Sequence, residues 1–344
     1  MSDEAAKAKS LKQAQEGLKM VHHLYKARHR RILKNVAASQ SIMAEHYQSM
    51  PAHYGFTFTP TIHHAPPSYL DATKVRLPSP CTILITGAGR GIGEAHAIAF
   101  AQADASDVIL SSRTLSQLKS VKEKILAINP SIKVSTVVCD VADEAQVELL
   151  AEHVRREHGR LDVLDNNAGY LDHGWQPITD VPADEFARVF SVNDIGVFLV
   201  TRALLPLMLE SEDGLKTIVE TSSASAHVAG ESIAMGMSKL AGARFMEYIA
   251  HSYTDQGVLT HSLMPGGVPT EMSLSDAVPG PLKEFPKARG DTAELSAWFL
   301  VWLVKERRDW LSGRYVSAEW DPKELEARKE EIVKRDLLKF QMSV

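Results

Sequence analysis

The stretch Thr82-Ile83-Leu84-Ile85-Thr86-Gly87-Ala88-Gly89-Arg90-Gly91-Ile92-Gly93 decides the fold of this chain. Residues 82–85 form a short apolar run that predicts a buried strand, and residues 91–103 predict a helix. The glycines between them allow a tight turn, close approach of the backbone to a pyrophosphate, and close packing of the helix on the strand. The helix N-terminus then faces the negative charge. A strand, a glycine-rich turn and a helix in this order predict a dinucleotide-binding site.

Strands and helices alternate from this stretch to the end of the chain. The other predicted strands are 107–111, 133–139, 161–164, 216–221, 258–264 and 315–320. The other predicted helices are 114–127, 144–158, 183–209, 232–253, 292–305 and 322–335. Continuous apolar strands between helices are typical of a parallel sheet that helices cover on both faces. The predicted fold class is therefore α/β, a Rossmann-type doubly wound parallel sheet.

The residues before the first predicted strand differ in composition and pattern from the rest of the chain. Residues 3–48 predict one helix with an apolar stripe made of Leu11, Leu18, Val21, Tyr25, Ile32, Val36 and Met43. Residues 51–80 are rich in proline, histidine and threonine, which suits an extended arm. We therefore expect four parts: an N-terminal amphipathic helix over 1–50, an extended arm over 51–80, the Rossmann-type domain over 81–320, and a C-terminal helix and tail over 321–344.

Length, composition and charge limit the class of protein. The chain has 344 residues, 44% of them hydrophobic, and a net charge of −5, which argues against a nucleic-acid binder. Two cysteines, Cys81 and Cys139, cannot make a disulfide framework and fit a reducing compartment. The N-terminus lacks an apolar signal segment, and the densest apolar run, 297–304, is shorter than the about 20 residues of a membrane helix. We expect a cytoplasmic protein without membrane or nucleic-acid partners.

The glycine spacing and a series of later motifs resemble the short-chain dehydrogenase/reductase family. The TGxxxGxG spacing of Gly87, Gly91 and Gly93 comes first. The motifs that follow in family order are Asp140-Val141, Asn166-Asn167-Ala168-Gly169, Asn193, Ser222-Ser223, Lys239 and Pro265-Gly266-Gly267-Val268-Pro269-Thr270. The resemblance covers roughly residues 80–320. The arm with His63-His64 and the ending 310–344 resemble a fungal branch of the family.

The resemblance implies a role in cofactor binding for each of these motifs. Asp140 and Val141 would hold the adenine, Asn167 and Gly169 would lie along the adenosine ribose and the sheet edge, and Thr270 would meet the nicotinamide amide. The full set that it assigns to the cofactor is Gly87, Gly89, Arg90, Gly91, Ile92, Gly93, Ser112, Arg113, Asp140, Val141, Asn167, Ala168, Gly169, Lys239, Pro265, Gly266, Val268 and Thr270.

The end of the second predicted strand, Ser111-Ser112-Arg113, favours one of the two nicotinamide dinucleotides. An acid at position 112 would bind the two free ribose hydroxyls of NAD and repel a 2′-phosphate. Ser112 stands there instead, and Arg113 offers a planar, permanently charged group for a phosphate. Arg90 adds a second positive charge inside the glycine turn. The sequence predicts NADP(H) as the cofactor.

The catalytic segment departs from the family pattern. The family uses a tyrosine as general acid, four residues before the lysine, and a serine that hydrogen-bonds the carbonyl oxygen; the lysine and the nicotinamide charge lower the tyrosine pKa. Here the tyrosine position is Met235, whose thioether has no proton to donate. Asn193, Ser223 (or Ser222) and Lys239 match the remaining catalytic residues. Lys239 can still bind the nicotinamide ribose.

Three interpretations of this departure stay open. In the first, Tyr170 or His227, from segments that line the family's substrate pocket, replaces the acid. In the second, the substrate accepts hydride without a strong acid, as an iminium or a conjugated system does. In the third, the nucleotide is redox-silent and the pocket catalyses a cyclisation, an isomerisation or a dehydration, or it only binds a ligand.

The predicted pocket segments, 170–175 and 272–285, combine apolar bulk with few charges, which suits a lipophilic small molecule.

No cysteine or carboxylate framework accompanies the early histidines, so we expect no metal site. In the family that the chain resembles, the counterparts of helices 183–209 and 232–253 form the dimer interface. We therefore expect a homodimer or a homotetramer.

Overall fold

A seven-stranded parallel sheet lies at the centre of the computed structural model, which describes residues 51–172, 177–228, 232–276, 278, 283, 286 and 289–342. In chain order the strands are β1 Thr82–Thr86, β2 Asp107–Ser112, β3 Lys133–Val138, β4 Val163–Asn166, β5 Thr217–Thr221, β6 Leu259–Met264 and β7 Arg314–Ser317. Their order across the sheet is β3-β2-β1-β4-β5-β6-β7. This is the Rossmann-type α/β fold that the sequence predicts. The order reverses between β1 and β4, so the crevice for a dinucleotide opens at the carboxyl ends of these two strands.

Helices cover both faces of the sheet. In chain order they are α1 Gly91–Gln102, α2 Leu115–Ile128, α3 Glu144–Glu157, α4 Ala183–Phe190, α5 Gly196–Glu210, α6 Ile233–Tyr253, α7 Ala293–Val304, α8 Pro322–Ala327 and α9 Lys329–Lys334. Phe100 of α1, Leu118 of α2 and Phe299 of α7 belong to the hydrophobic core on one face. Leu150 of α3 and Met246 of α6 belong to the core on the other face. Every residue of β1, β5 and β6 is buried, because helices cover both faces of the sheet, so burial does not alternate along these strands.

Side-chain caps begin several of these helices. Asp143 accepts a hydrogen bond from the Gln146 amide at the start of α3, and Ser232 accepts one from the Met235 amide at the start of α6. Thr292 does the same for α7. Each cap satisfies an amide of the first helical turn that would otherwise lack a partner, at a gain of about 1 kcal/mol.

The single helix predicted over 183–209 is wrong in one respect, because a π-helical turn, Ser191–Ile195, separates α4 from α5. Hydrophobic periodicity cannot reveal such a turn, since one inserted residue leaves the apolar pattern nearly intact. Ala183–Glu210 is also the one helical run among the described residues that is long and apolar enough to cross a membrane; 56% of its most apolar window is buried within the protein, as in a core helix.

Most of the other predicted boundaries differ from the structure by one residue, and larger differences occur at β4, β7 and the C-terminal helix. β4 begins two residues later than predicted, because Asp162 accepts a hydrogen bond from the Thr82 amide (2.8 Å) and belongs to the preceding turn. β7 ends at Ser317 rather than at residue 320. The predicted C-terminal helix is divided into α8 and α9 at Arg328, whose guanidinium donates to the Phe58 carbonyl at 2.5 Å.

The arm over residues 51–80 is not simply extended. It contains three 3-10 turns, Ala52–Tyr54, Ser68–Leu70 and Ala72–Lys74, because Leu70, Ala72 and Leu77 are buried in the core that also includes α1 and α7. The predicted helix over 3–48 and the pocket residues 173–175 lie outside the described residues, as do parts of the segment 272–285.

Candidate functional site

The glycine-rich turn after β1 has the backbone that its sequence predicts. Gly87 and Gly91 adopt φ values of +66° and +59°, in the left-handed region that favours glycine. A Cβ on Gly93 would lie 2.4 Å from the carbonyl oxygen of Gly87 and 2.5 Å from Nδ2 of Asn167. No side chain fits there, so Gly93 allows α1 to pack directly against the turn.

The N-terminus of α1 opens toward the crevice. Arg90 is its N-cap residue and makes no side-chain hydrogen bond to the helix, so the amides of Gly91 and Ile92 keep their donor capacity for a ligand. A Cβ on Gly91 would lie 3.4 Å from the methyl group of Thr270, in the loop after β6. The first turn of α1 and this loop therefore face each other, and the free amides suit a pyrophosphate.

The carboxyl end of β4 stabilises the glycine-rich turn from the other side. Asn167 donates through Nδ2 to the carbonyls of Thr86 (3.0 Å) and Gly87 (3.3 Å). The Ala168 amide donates to the Thr86 hydroxyl at 3.1 Å. Of the residues that the resemblance assigns to the cofactor, Asn167 and Ala168 thus act on the turn itself, and they bring β1 and β4 together at the point where the strand order reverses.

Asp140 and Val141 follow β3 at the same edge of the sheet. The Asp140 carboxylate accepts a hydrogen bond from the Ala142 amide at 3.1 Å. Val141 packs closely against Gly196, the first residue of α5. A Cβ added to Gly196 would lie 2.8 Å from a methyl group of Val141. Gly169, after β4, approaches Asn193: a Cβ there would lie 3.6 Å from Oδ1 of Asn193. These contacts connect the adenosine end of the crevice to the π-helical turn.

Two exposed arginines, Arg113 after β2 and Arg90 in the glycine-rich turn, each lie near one carboxylate. The end of β2 packs against the glycine-rich turn, because a Cβ added to Gly89 would lie 3.0 Å from the Ser112 hydroxyl oxygen. The side chain of Arg113 is 62% exposed, and its guanidinium approaches Asp140 only to 3.8 Å. Arg90 pairs with the exposed Glu271. Both guanidinium groups are accessible from solvent and lie beside the crevice.

The loop after β6 depends on a buried ion cluster. Gly266 adopts a φ of +96°, and the Gly267 amide donates to Oδ2 of Asp291 at 2.5 Å. Asp291 also pairs with Nδ1 of His64 (2.6 Å) and Nε of Arg289 (2.9 Å), and Arg289 pairs with Glu319. The loop with Pro265, Val268 and Thr270 is thereby attached to the arm.

This cluster contains the one group of possible metal ligands among the described residues, His64, Asp291 and Glu319, whose ligand atoms all lie within 4.8 Å of one another. The buried guanidinium of Arg289 contacts both carboxylates and already supplies a positive charge. The group is therefore an ion cluster of the protein's own side chains.

Asn193 is a buried connector rather than an exposed catalytic group. Its Oδ1 accepts from the Tyr170 amide (2.8 Å), and its Nδ2 donates to the Tyr170 carbonyl (3.1 Å) and the Ser238 hydroxyl (3.1 Å). The same Nδ2 lies 3.5 Å from the sulfur of Met235. Asn193 thus fixes the π-helical turn, the segment after β4 and the start of α6 relative to one another.

Ser223 and Met235 lie on neighbouring elements. Ser223 caps the short turn Ala224–Ala226. This turn packs closely against α6 at Gly236, where an added Cβ would lie only 3.1 Å from the Ser225 carbonyl oxygen. Ser223 is half-buried, whereas Ser222 is 3% exposed, so Ser223 is the serine that a ligand can reach.

Lys239, one helical turn after Met235, is bound to an acid that the sequence analysis did not include. Its Nζ donates to Oε1 of Glu220 at 3.1 Å and to the Thr221 carbonyl at 2.5 Å. Glu220 is fully buried, and burial raises the pKa of its carboxyl group, while Lys239 opposes this effect. Nearby, burial raises the pKa of Asp194 to about 7. A charged residue inside the apolar strand β5 is the signal that would have identified Glu220.

The two candidate replacement acids are engaged elsewhere. The Tyr170 hydroxyl donates to Glu185 at 2.8 Å, and burial together with this hydrogen bond raises the pKa of the phenol. His227 donates through Nε2 to the Tyr54 carbonyl at 2.7 Å, its ring packs edge-on against Tyr315, and burial lowers its pKa. In the described part of the chain, neither group makes a hydrogen bond or an ion pair with Ser223 or Lys239.

Comparison with known proteins agrees with this geometry. A family model described as short chain dehydrogenase matches residues 81–277. Short chain dehydrogenase pgmD from Aspergillus terreus is 37% identical over 305 residues, which cover 86% of this chain and 96% of that protein. Short chain dehydrogenase citE from Monascus ruber is 38% identical over 302 residues, which cover 86% of this chain and 99% of that protein.

Solved structures give the same result. Levodione reductase superposes with a TM-score of 0.64 at 27% identity, over 70% of this chain and 96% of that chain. A short-chain type dehydrogenase/reductase from Mycobacterium marinum superposes with a TM-score of 0.63 at 27% identity, over 73% of this chain and 97% of that chain. With its strand order, its glycine-rich turn and these relatives, the chain belongs to the short-chain dehydrogenase family of oxidoreductases, which bind a nicotinamide dinucleotide.

Proposed function

We propose that this protein is an NADP(H)-dependent oxidoreductase that acts on a lipophilic small molecule, of the kind handled in secondary metabolism, and transfers hydride without a tyrosine acid. The observation that carries the cofactor choice is the end of β2, where Ser112 replaces an acid and the exposed Arg113 lies beside the crevice. A guanidinium there attracts the 2′-phosphate of NADP(H), and no carboxylate at position 112 binds the free ribose hydroxyls of NAD.

Titration calorimetry with both nucleotides tests this cofactor choice. We expect NADPH to bind at least about 10-fold more tightly than NADH, a difference of about 1.4 kcal/mol. Arg113→Ala should remove most of this preference, and Arg113→Asp should reverse it. Arg155→Ala is the matched control, because Arg155 is a similarly exposed arginine that pairs with Glu210 on a different helix. Equal affinities of the wild type for both nucleotides would contradict the proposal.

The residues around Met235 support a lipophilic substrate and an unusual proton balance. Leu171, Met272 and Leu274, from segments that line the family's pocket, are half-buried apolar side chains, which suits a lipophilic ligand. When bound, the nicotinamide would supply or accept the hydride. Ser223 would donate a hydrogen bond to a carbonyl or imine group, Lys239 would hold the cofactor ribose, and Met235 supplies no proton.

One observation favours a second candidate function. The thioether of Met235 and the pairing of Lys239 with Glu220 leave the usual acid position without a titratable proton. A redox-silent cyclase, isomerase or dehydratase that keeps the nucleotide for structure would have such a site, and so would a pseudoenzyme that only binds. Product formation without NADPH oxidation would identify the first of these, and ligand binding without any product would identify the second.

We also propose that the protein is a cytoplasmic homodimer or homotetramer assembled through α5 and α6. Phe198 and Met237 on this face are 44% and 52% exposed. Phe198 and Phe245 border an apolar depression of about 220 Å³. An apolar surface of this kind favours association with a second copy. For the reducing compartment, the support is that Cys81 and Cys139 are both buried and unpaired.

A further inference from the structure

Three titratable groups meet behind Met235 and form what we call the buried charge cluster: Asp194, Glu220 and Lys239. They come from three elements, the π-helical turn, β5 and α6. The side chains of Lys239 and Glu220 are 5% and 0% exposed, and their charged atoms lie 3.1 Å apart. The ammonium group of Lys239 therefore has a carboxylate partner inside the protein before any ligand binds.

The residues around Glu220 leave room for its carboxyl group beside Lys239. Gly242 of α6 leaves space for the carboxylate, since a Cβ there would lie 3.2 Å from Oε1 of Glu220. Burial raises the pKa of Glu220, and Lys239 and the nearby hydroxyl groups of Ser222 and Ser262 oppose this effect only in part. Among the described residues, Oε2 of Glu220 has no hydrogen-bond partner, so the carboxyl group is held through Oε1. An isolated carboxylate at a fully buried place in a central strand would be strongly unfavourable. The 3.1 Å ion pair with Lys239 is the contact that opposes the burial of Glu220 most directly.

Asp194 is a further titratable group near the pair. Burial raises its pKa to about 7, while the charge of Lys239 lowers it and that of Glu220 raises it. No hydrogen bond joins Asp194 to Lys239 among the described contacts. The negative partner of Lys239 is therefore Glu220, and Asp194 adds a second carboxyl group at a longer distance.

This pairing bears on the missing tyrosine. In a site with a tyrosine acid, a lysine ammonium lowers the phenol pKa because it stabilises the phenolate. A carboxylate 3.1 Å from the same ammonium cancels most of that field at the neighbouring position. In this chain Lys239 is paired with Glu220, and Met235 stands at the tyrosine position. A lysine whose charge is cancelled is consistent with a neighbouring position that has no acid to activate.

We propose that Glu220 is a positioning residue that anchors the ammonium of Lys239 against β5 and cancels its charge, so that Lys239 binds the cofactor without activating an acid at position 235. The catalytic consequence rests on the proposed function, in which the nicotinamide nucleotide binds beside Lys239. The electrostatic part concerns only the cluster and position 235, and it can be measured on the protein without cofactor or substrate.

The test introduces a phenol at position 235 as a probe. The phenolate absorbance of Met235→Tyr, measured against the wild type to remove the native tyrosines, gives the pKa of the new phenol. Adding Glu220→Gln should lower that pKa by at least about one unit, a tenfold change in the ionisation constant, because the charge of Lys239 is no longer cancelled. Glu220→Asn, which also removes the charge with a smaller side chain, should give the same shift.

Two controls make the result specific. Met235→Tyr with Glu210→Gln removes an exposed carboxylate on α5 and should leave the phenol pKa unchanged. In Met235→Tyr with Lys239→Met, burial should keep Glu220 protonated because its cation is gone, so adding Glu220→Gln should no longer lower the phenol pKa. An identical pKa with and without the Glu220 carboxylate would overturn the proposal. NADPH affinity is measured in parallel: a pKa shift with no NADPH binding would refute the proposed function and leave the role of Glu220 intact.

Discussion

The substitution Asp291→Asn should destabilise the ion cluster under the loop after β6. Asp291 is fully buried, and its two oxygens accept from the Gly267 amide (2.5 Å) and Nε of Arg289 (2.9 Å) and contact Nδ1 of His64 (2.6 Å). Asparagine preserves the shape but removes the charge. Its amide nitrogen would also face one of these donors.

The expected loss of stability follows from what remains around Arg289. Removing one partner of a buried ion pair costs about 3–5 kcal/mol, because the other charge stays buried without compensation. Arg289 keeps its contact with Glu319, so we expect about 3 kcal/mol, the lower end of this range. Because the Gly267 amide loses its charged acceptor, the loop that contains Thr270 should also bind NADPH more weakly.

The effect should depend on pH with a definite sign. Burial raises the pKa of Asp291, but the His64 hydrogen bond, the charge of Arg289 and the Gly267 amide together hold it below its usual value. A carboxyl group with a lowered pKa in the folded state stabilises the fold above its unfolded pKa of about 3.9 and loses that contribution as the pH falls through the folded value. The difference between wild type and Asp291→Asn should therefore be complete at pH 7 and shrink in acid.

Urea unfolding at pH 7 measures the free energy directly. The control is Asp104→Asn, which removes the charge from an exposed pair with Arg76 and should change stability by less than about 0.5 kcal/mol. If Asp291→Asn is no less stable at pH 7 than this control, the cluster does not stabilise the loop in the way described.

Three further outcomes are expected. Tyr170→Phe should leave the rate of NADPH oxidation unchanged, because the hydroxyl is bound to Glu185, and a large loss in steady-state assays would identify Tyr170 as the acid. Gly93→Ala should abolish NADPH binding in calorimetry, because the added Cβ would meet the Gly87 carbonyl at 2.4 Å; Gly159→Asn, at a positive φ with open space, should bind normally. Phe198→Asp should dissociate the proposed oligomer in analytical ultracentrifugation, and an unchanged mass would place the interface elsewhere.

The fold could be predicted from the sequence because its signals are local. Short, largely apolar strands between helices indicate a parallel sheet, and the glycines at 87, 91 and 93 are required by backbone geometry and close packing at their own positions. The cofactor end of the site is built from the same loops that follow predicted strands. These parts need only the order of elements along the chain.

The contacts that decide the chemistry are not local, and the sequence alone did not reveal them. Glu220 meets Lys239 only because β5 lies under α6, and Asp291 meets His64 only because the arm returns to the sheet. The π-helical turn at Asn193 adds one residue to a helix whose apolar pattern continues through it. A glutamate within an apolar strand was the single local sign of such a partner.

The central claim is that hydride transfer proceeds here without a tyrosine acid. NADPH oxidation, with product analysis, on a panel of lipophilic ketones, imines and enones for wild type and Met235→Tyr tests it most directly. We expect the wild type to oxidise NADPH with substrates that accept hydride without a strong acid and to act poorly on simple ketones. Met235→Tyr should gain ketone reduction, by at most about 10²–10⁴-fold. NADPH oxidation by neither protein on any substrate, or robust reduction of simple ketones by the wild type, would contradict the claim.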